Sequence, residues 1–187
     1  MSDLLSLLQT RRSLAPQRMT GPGPTDADIA TMLKIASRVP DHGKLAPWRF
    51  IVIKGEARQR IGEQLEAIYA ADNPSADEDR RKIERARLTR APVVIAVVSK
   101  AAPHVKIPEW EQLMSAGAAC MNLVWAANAL DFATAWLTEW FAYDRRALAH
   151  FGVKPDEKIV GFVHIGRRTE PADERPRPDL AQIVSEL

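Results

Sequence analysis

The polar loop between Arg38 and Trp48 contains the side chains best suited to binding a ligand. It displays Asp41, His42 and Lys44 between two prolines, with a glycine among them. Proline fixes the main chain, and glycine permits unusual dihedral angles or a close approach to a ligand. Loops held by a rigid scaffold often carry binding residues. A solvated connection between a helix and a strand has a similar composition, so the loop alone gives both interpretations equal weight.

A second candidate is the segment Arg11-Arg12-Ser13, which follows the first predicted helix. Guanidinium groups bind phosphate in bidentate fashion, and a hydroxyl adds a further hydrogen-bonding group. Arginine in the last turn of a helix also complements the helix dipole. Taken by itself, the segment favours this dipole role.

Helices and strands must position these segments, and their patterns alternate along the chain. The run over 92–98 is almost continuously apolar, which predicts a strand buried on both faces and central in a sheet. Thr25 and Asp28 have the spacing of a capping box. The predicted helices cover 3–9, 25–38, 56–70, a charged segment ending at 88, 109–130, 143–151 and 179–187, and the other predicted strands cover 49–54, 133–138 and 158–165.

The composition predicts a single globular domain over residues 1–187. With 46% hydrophobic residues and a net charge of +2, the chain lacks the basic character of a nucleic-acid-binding protein and any run long enough to cross a bilayer. Its first residues lack the features of a secretory signal, which predicts a cytoplasmic protein. The single cysteine, Cys120, excludes an intrachain disulfide framework and is interpreted as a buried structural thiol.

Several other classes of site are disfavoured. The sequence has neither a Gly-x-Gly-x-x-Gly motif after a strand nor a Walker loop, so Rossmann and P-loop enzymes do not fit. Its four histidines are scattered without metal-ligand spacing, and His164 is interpreted as a core histidine with satisfied hydrogen bonds. The mixed charges over 77–82 are interpreted as a solvated helix face.

The loop 38–48 resembles a segment of the nitroreductase family that usually reads Pro-Ser-x-x-Asn-x-Gln-Pro-Trp-x-Phe. Its Pro-Asp-His variant is similar to the branch of small FMN-dependent nitroreductase-like proteins. Three further matches fall in the family's order and extend the resemblance over nearly the whole chain: Arg11-Arg12-Ser13, Ser115-Ala116-Gly117 running to Asn122-Leu123, and Ala135-Trp136-Leu137-Thr138.

The resemblance implies a fold and an activity. The fold is α+β, with a mixed, mainly antiparallel central sheet flanked by helices, and FMN lies at the interface of a homodimer. The implied activity is transfer of a hydride from NAD(P)H through the flavin to a small electron acceptor, such as a nitroaromatic or a quinone. Because the cofactor carries this chemistry, no catalytic residue is predicted. The alternative is a non-catalytic module that stores or senses FMN.

The resemblance also implies roles for particular residues around the flavin phosphate. Arg11 and Ser13, with Arg12 between them, contact FMN, and a basic pair near the C-terminus, matched by Arg175 and Arg177, meets the phosphate. The adjacent pair at positions 167 and 168 competes for this second role.

Around the flavin ring, the resemblance implies contacts from both subunits. Arg38, Asp41, His42 and Lys44 reach the flavin bound mainly by the other subunit, where His42 or Lys44 could stabilise the anionic reduced ring. The sequence departs from the family here, since Asp41, Lys44 and Ala46 replace the usual Ser, Asn and Gln. Trp136, Leu137 and Thr138 lie along the flavin and offer main-chain groups toward N5 and O4, although an aromatic residue on a strand is also typical of a core.

Overall fold

A computed structural model describes residues 4–187 and contains helices on both faces of one sheet. The helices are α1 (Leu4–Thr10), α2 (Asp26–Ala36), α3 (Glu56–Asp72), α4 (Glu78–Arg85), α5 (Glu109–Ala129) and α6 (Arg145–His150). The strands are β1 (Met19–Thr20), β2 (Trp48–Lys54), β3 (Val93–Ser99), β4 (Ala133–Leu137) and β5 (Lys158–Arg168).

The sheet is organised around β5, which pairs with three other strands. The order is β2-β3-β5-β4, and the two residues of β1 pair with the end of β5. All of these pairings are antiparallel. Every residue of β3 is buried, and the strand lies inside the sheet as its apolar run predicts. The α+β fold and the antiparallel character of the sheet are therefore confirmed.

Alternate residues of β3 pack against different helices because successive side chains of a strand point to opposite faces. Val93, Ile95 and Val97 form a core with α2 and α5. Val94, Ala96 and Val98 form a second core with α3 and α6. The two faces of the sheet are thus separately covered, and α5 lies on the face opposite α3. Cys120 is fully buried in the first core, as predicted.

Local signals fix the helix starts better than the ends. The Thr25 side chain accepts from the Asp28 N–H and the Asp28 carboxylate accepts from the Thr25 N–H, which confirms the capping box. The helix predicted over 179–187 is wrong: only a 3₁₀ turn at Leu180–Gln182 forms, and the whole segment is exposed. Without tertiary packing, so short a helix is marginal. Ser2, whose position before the predicted helix 3–9 suits an N-cap, lies outside the described residues.

His164 on β5 is buried, as predicted, but its hydrogen bonds are not satisfied. Its side chain is 0% exposed, and neither ring nitrogen has a partner among residues 4–187. Burial lowers the pKa of His164 to about 3, and the charge of Arg90 acts in the same direction. The imidazole is therefore neutral in the folded protein throughout the physiological range.

This buried imidazole should make folding stability sensitive to mild acid. Below its unfolded pKa of 6.5, His164 takes up a proton in the unfolded chain but not in the folded one. Stability is therefore lost as the pH falls, by about 2 kcal/mol between pH 7.5 and 5. Urea unfolding of the wild type and of His164→Leu at both pH values measures this difference.

His164→Leu should abolish most of the loss, because leucine does not titrate and leaves no unpaired nitrogen. The carboxylates of Asp144 and Glu157 do not interfere, since their pKa values are lowered to about 2 and their contributions fade only at lower pH. An equal loss in the wild type and in the variant would remove His164 as the cause.

A buried ion-pair cluster links α4 to the segment after β4. Glu84 is 0% exposed and accepts hydrogen bonds from Arg87 at 2.9 and 2.7 Å and from Trp140 Nε1 at 2.8 Å. Arg80 lies 2.7 Å from the same carboxylate. Burial raises the pKa of Glu84, but the bonds from Arg87 and Trp140 outweigh it and leave the pKa lowered. The prediction of a solvated face over 77–82 is therefore only partly correct, because Arg80 joins this buried cluster.

Candidate functional site

Helix α5 positions two of the three predicted site segments. Near its start, Glu111 Oε2 lies 2.6 Å from His42 Nδ1. Farther along, the Asn122 side chain donates to the Arg38 carbonyl at 3.0 Å. Near its end, the Trp125 ring lies 5.3 Å from the Arg11 guanidinium carbon. His42 and the Arg11 segment therefore contact opposite ends of the helix, whereas the Arg38 carbonyl is bound about one turn from Trp125.

The loop 38–48 is held at both ends by one buried hydroxyl. Ser115 Oγ donates to the Pro40 carbonyl at 2.7 Å and accepts from Trp48 Nε1 at 3.2 Å. The Asp41 carboxylate accepts from the N–H groups of Leu45 and Ala46 at 3.0 and 2.9 Å. Asp41 therefore shapes the loop with both of its carboxylate oxygens.

Three donor groups of this loop are exposed and available. Across residues 4–187, the guanidinium of Arg38, the Nζ of Lys44 and the Nε2 of His42 make no hydrogen bond or ion pair. Lys44 has a φ of 56° and Ala46 a φ of 44°, a left-handed conformation that costs a non-glycine residue about 1–2 kcal/mol. Strain of this kind is concentrated at functional sites.

The Arg11 segment is positioned by the edge strand β4. The Leu14 N–H donates to the Thr134 carbonyl at 3.0 Å, which fixes the preceding residues beside the strand. The Arg11 Nη1 lies 3.5 Å from Ser13 Oγ. Burial lowers the pKa of Arg11, and the like charges of Arg177 and Arg12 lower it further. Three guanidinium groups thus converge on one region.

This convergence fits an anionic ligand such as the phosphate of FMN. The buried Nε of Arg11 has no hydrogen-bond partner among the described residues, although buried polar atoms are normally paired. Clustered arginines repel one another unless an anion lies between them. Guanidinium forks also match phosphate oxygens geometrically. The residues present therefore suit the group that the sequence implies.

The competing basic pairs near the C-terminus differ in their surroundings. Arg177 lies near enough to Arg11 to affect its pKa, whereas Arg175 has only a main-chain bond to Glu174. Arg167 is occupied elsewhere: it donates to the Asp131 carbonyl at 2.8 Å and stacks over the Phe132 ring. Arg168, the other member of that pair, lines the same cleft as Arg11 and Arg12, so each of the two basic pairs supplies one arginine near Arg11.

A cleft of about 640 Å³ adjoins the arginine cluster. Its lining includes Arg11, Arg12, Leu14, Asp131 and Arg168, together with residues of the tail after β5. Arg12 holds that tail in place by donating to the Asp173 carbonyl at 2.9 Å. Trp136, Leu137 and Thr138 are not part of this lining, so the cleft extends away from the end of β4.

The end of β4 presents a flat indole and unpaired main-chain groups. Trp136 is 38% exposed, and its Nε1 donates to the Val160 carbonyl at 3.1 Å. A Cβ at Gly161 would overlap this indole, so glycine is required there. The N–H groups of Thr138 and Glu139 donate no hydrogen bond to any of residues 4–187. Trp136 is therefore partly exposed at the edge of the sheet rather than enclosed in the core.

One protomer brings together two of the three predicted segments. The Arg11 segment bonds to Thr134, and Leu137 lies three residues farther along β4, which is about 10 Å. His42 is bound near the start of α5, about 21 Å along the helix from Trp125, so this part of the loop 38–48 lies apart from the Arg11 segment. Sequence reasoning missed Trp125, which packs on Arg11, and Glu139, which follows Thr138. No local motif marks either residue. The only sequence signal for Trp125 is its spacing on an apolar face of α5, which places it opposite α1.

Residues 4–187 lack two further kinds of feature. No helix in this range combines the length and the apolarity needed to span a membrane. No three His, Cys, Asp or Glu side chains within it are close enough to hold a metal ion. The cationic pocket is thus the feature with the clearest ligand chemistry.

The fold and the site define an α+β protein with an arginine-lined pocket beside the edge strand of an antiparallel sheet. A sequence profile of the nitroreductase family matches residues 10–167. One relative is the Escherichia coli K12 protein YdjA, which is named for an inferred NAD(P)H nitroreductase activity. Its sequence is 39% identical to this chain over 166 residues, which cover 88% of this chain and 87% of YdjA. The chain therefore belongs to the nitroreductase family.

Solved structures show the same fold at lower sequence identity. A nitroreductase-like protein from Bacillus cereus superposes with a TM-score of 0.83 at 19% identity, covering 100% of this chain and 97% of its own. A nitroreductase from Bacteroides fragilis, solved with bound FMN, superposes with a TM-score of 0.71 at 20% identity, covering 100% of both chains.

Proposed function

We propose that this protein is a cytoplasmic, FMN-dependent oxidoreductase that uses NAD(P)H to reduce a small electron acceptor such as a nitroaromatic or a quinone. The observation that carries the proposal is the cluster of Arg11, Arg12 and Arg177, in which a buried Nε lacks a partner. Bound FMN supplies the hydride chemistry. Family membership and the FMN-bound relative support this choice of cofactor.

The chain's own residues would bind and orient the cofactor. Arg11, Arg12, Ser13 and Arg177 would hold the phosphate and ribityl oxygens. The end of β4, Trp136–Thr138, would lie along the ring and offer its unpaired N–H groups. Arg38, His42 and Lys44 carry available donors, and His42 is bound near the opposite end of α5 from Arg11, so a second protomer would bring this loop to the flavin. Asp41 shapes this loop, and Arg175 adds positive charge to the tail.

A homodimer through α5 would meet this requirement. The anchors of the two segments, Glu111 and Trp125, are about 21 Å apart along the helix. A two-fold axis near Gly117 and Ala118, midway between them, would place the His42 loop of one subunit beside Arg11 of the other. The helix face around this point is apolar and unpartnered, with Trp110 69% and Met114 54% exposed.

Gly117→Leu tests this arrangement. A Cβ at Gly117 would meet nothing within 4 Å in one protomer, so leucine should raise helix stability by up to about 1 kcal/mol in a monomer. At a close helix crossing, the same side chain should block assembly. We expect sedimentation to show a shift from twice the 20.8 kDa protomer mass to the protomer mass.

Ala71→Leu is the matched control, because it adds leucine at an exposed position of α3 on the opposite face of the sheet. It should leave the mass unchanged. An unchanged dimer mass for Gly117→Leu, together with raised stability, would exclude α5 as the interface.

The function itself is tested by an anaerobic absorbance titration. The purified protein is incubated with FMN, freed of excess, and titrated with NADPH and then with NADH. Retained flavin bands that bleach rapidly are expected. Retained bands that do not bleach would favour the storage or sensing module, and a colourless protein would refute FMN binding.

A further inference from the structure

The carboxylate of Glu139 is clamped by two arginines immediately after the end of β4. Arg87 Nη1 donates to one oxygen at 2.8 Å, and Arg90 Nη2 donates to the other at 2.7 Å. The three side chains are only 12–17% exposed. The clamp is itself anchored, because Arg87 also binds the buried Glu84 and Arg90 Nε donates to the Arg87 carbonyl.

The clamp adjoins main-chain donors that lack partners. Glu139 begins the 3₁₀ turn Trp140–Ala142, but its carboxylate does not cap that turn. Thr138 and Glu139 are partly buried residues, and their N–H groups make no hydrogen bond within the described chain. Main-chain N–H groups that are removed from water normally find a partner in protein or a ligand. Two unpaired donors are thus held in place by a rigid ionic network.

We propose that Glu139 is a positioning residue for the flavin ring, which rests on the proposed function. The two arginines fix the Glu139 side chain and so fix the main chain between β4 and the 3₁₀ turn. This holds the N–H groups of Thr138 and Glu139 in a preorganised arrangement toward the ring. The carboxylate touches neither the cofactor nor the substrate in this role.

The network is placed to do this because its other members belong to the core. Arg87 and Arg90 follow α4, whose Glu84 is fully buried, so they are fixed by the protein interior rather than by the ligand. Preorganised groups bind a ligand with less loss of freedom on association.

The test compares Glu139→Gln with Trp140→Phe. Glu139→Gln removes the charge that both arginines bind, and Trp140→Phe removes a hydrogen bond of the same cluster without touching the clamp. The readouts are the FMN dissociation constant, the absorbance spectrum and midpoint potential of the bound flavin, and urea unfolding of the protein without FMN.

We expect Glu139→Gln to weaken FMN binding about fivefold to tenfold, the size expected for losing one or two well-placed hydrogen bonds. Its flavin spectrum and midpoint potential should also shift. Trp140→Phe should keep the spectrum and potential of the wild type even if its unfolding midpoint falls. Arg90→Lys should restore part of the affinity lost in Arg90→Ala.

Two failures are distinguishable. If the wild type retains FMN, and Glu139→Gln binds it with wild-type affinity, spectrum and potential, the positioning role is overturned while the proposed function stands. If Glu139→Gln and Trp140→Phe change all three flavin properties equally, the role is merely structural and is also overturned. If the wild type does not bind FMN, the proposed function and this inference both fall.

Discussion

Replacing Arg11 with alanine should raise the dissociation constant for FMN roughly 10- to 150-fold. A hydrogen bond between charged groups contributes about 1.5–3 kcal/mol, and Arg11 has a buried nitrogen with no competing partner in residues 4–187. The variant also relieves the repulsion from Arg177 and Arg12 in the protein without FMN. Its folding stability should therefore change little. Fluorescence titration with FMN, paired with urea unfolding, separates the two effects.

Arg11→Lys and Arg167→Ala are the controls. Lysine keeps the charge but not the planar fork, so its affinity should lie between those of the wild type and Arg11→Ala. Arg167 binds Asp131 and Phe132, so its loss should leave FMN affinity unchanged. Equal affinities for Arg11→Ala and the wild type would remove Arg11 from the site.

Replacing Glu84 with alanine should lower the free energy of unfolding by about 3–5 kcal/mol. Removal of one partner from a buried ionic cluster leaves uncompensated charges, and this costs more than the cluster contributed. Here the loss would strip Arg87 and Trp140 of their shared carboxylate. Chemical denaturation of both proteins at neutral pH measures the difference.

Glu78→Ala provides the comparison within the same helix. Glu78 is exposed, and its carboxylate lies 3.7 Å from Arg85 at the surface. Such pairs contribute about 0–1 kcal/mol. If both variants lost the same small amount of stability, the Glu84 cluster would contribute no more to the free energy of unfolding than a surface ion pair.

The sequence predicted the elements with strong periodicity. The apolar run 92–98 becomes an inner strand, and the capping box starts α2 at the expected residue. These features depend on interactions within a few residues. The segment 179–187 has an ambiguous pattern and stays exposed, so little tertiary packing is present to convert weak propensity into a helix.

The candidate site was predictable in residue type but not in arrangement. Arginines and a hydroxyl in one segment indicate phosphate binding whatever the fold. The proximity of Arg177 to Arg11, across most of the chain, depends on how the tail after β5 is held by Arg12. The role of Asp41 in shaping its loop depends on the left-handed main chain that follows. Neither the proximity of these arginines nor the role of Asp41 can be predicted from residues that are close together in the sequence.

Buried polar groups were the features least accessible from the sequence. His164 lies in an apolar strand and was predicted to be a core histidine with satisfied hydrogen bonds. Whether its ring nitrogens find partners depends on neighbours from β3 and β4, which no local pattern specifies. Glu84 lies in a strongly charged helix, where most side chains are exposed. Only the packing of that helix against Trp140 and Arg87 shows that one carboxylate is internal.

The central position of β5 affects the order in which the protein can assemble during synthesis. A ribosome releases β2 and β3 early, but the free edge of the apolar β3 and the whole of β4 wait for residues 158–168. Until then, an apolar strand with an open edge is available for wrong pairing. We therefore expect truncation before β5 to produce aggregating nascent chains, and expect chaperone dependence to end once β5 has emerged.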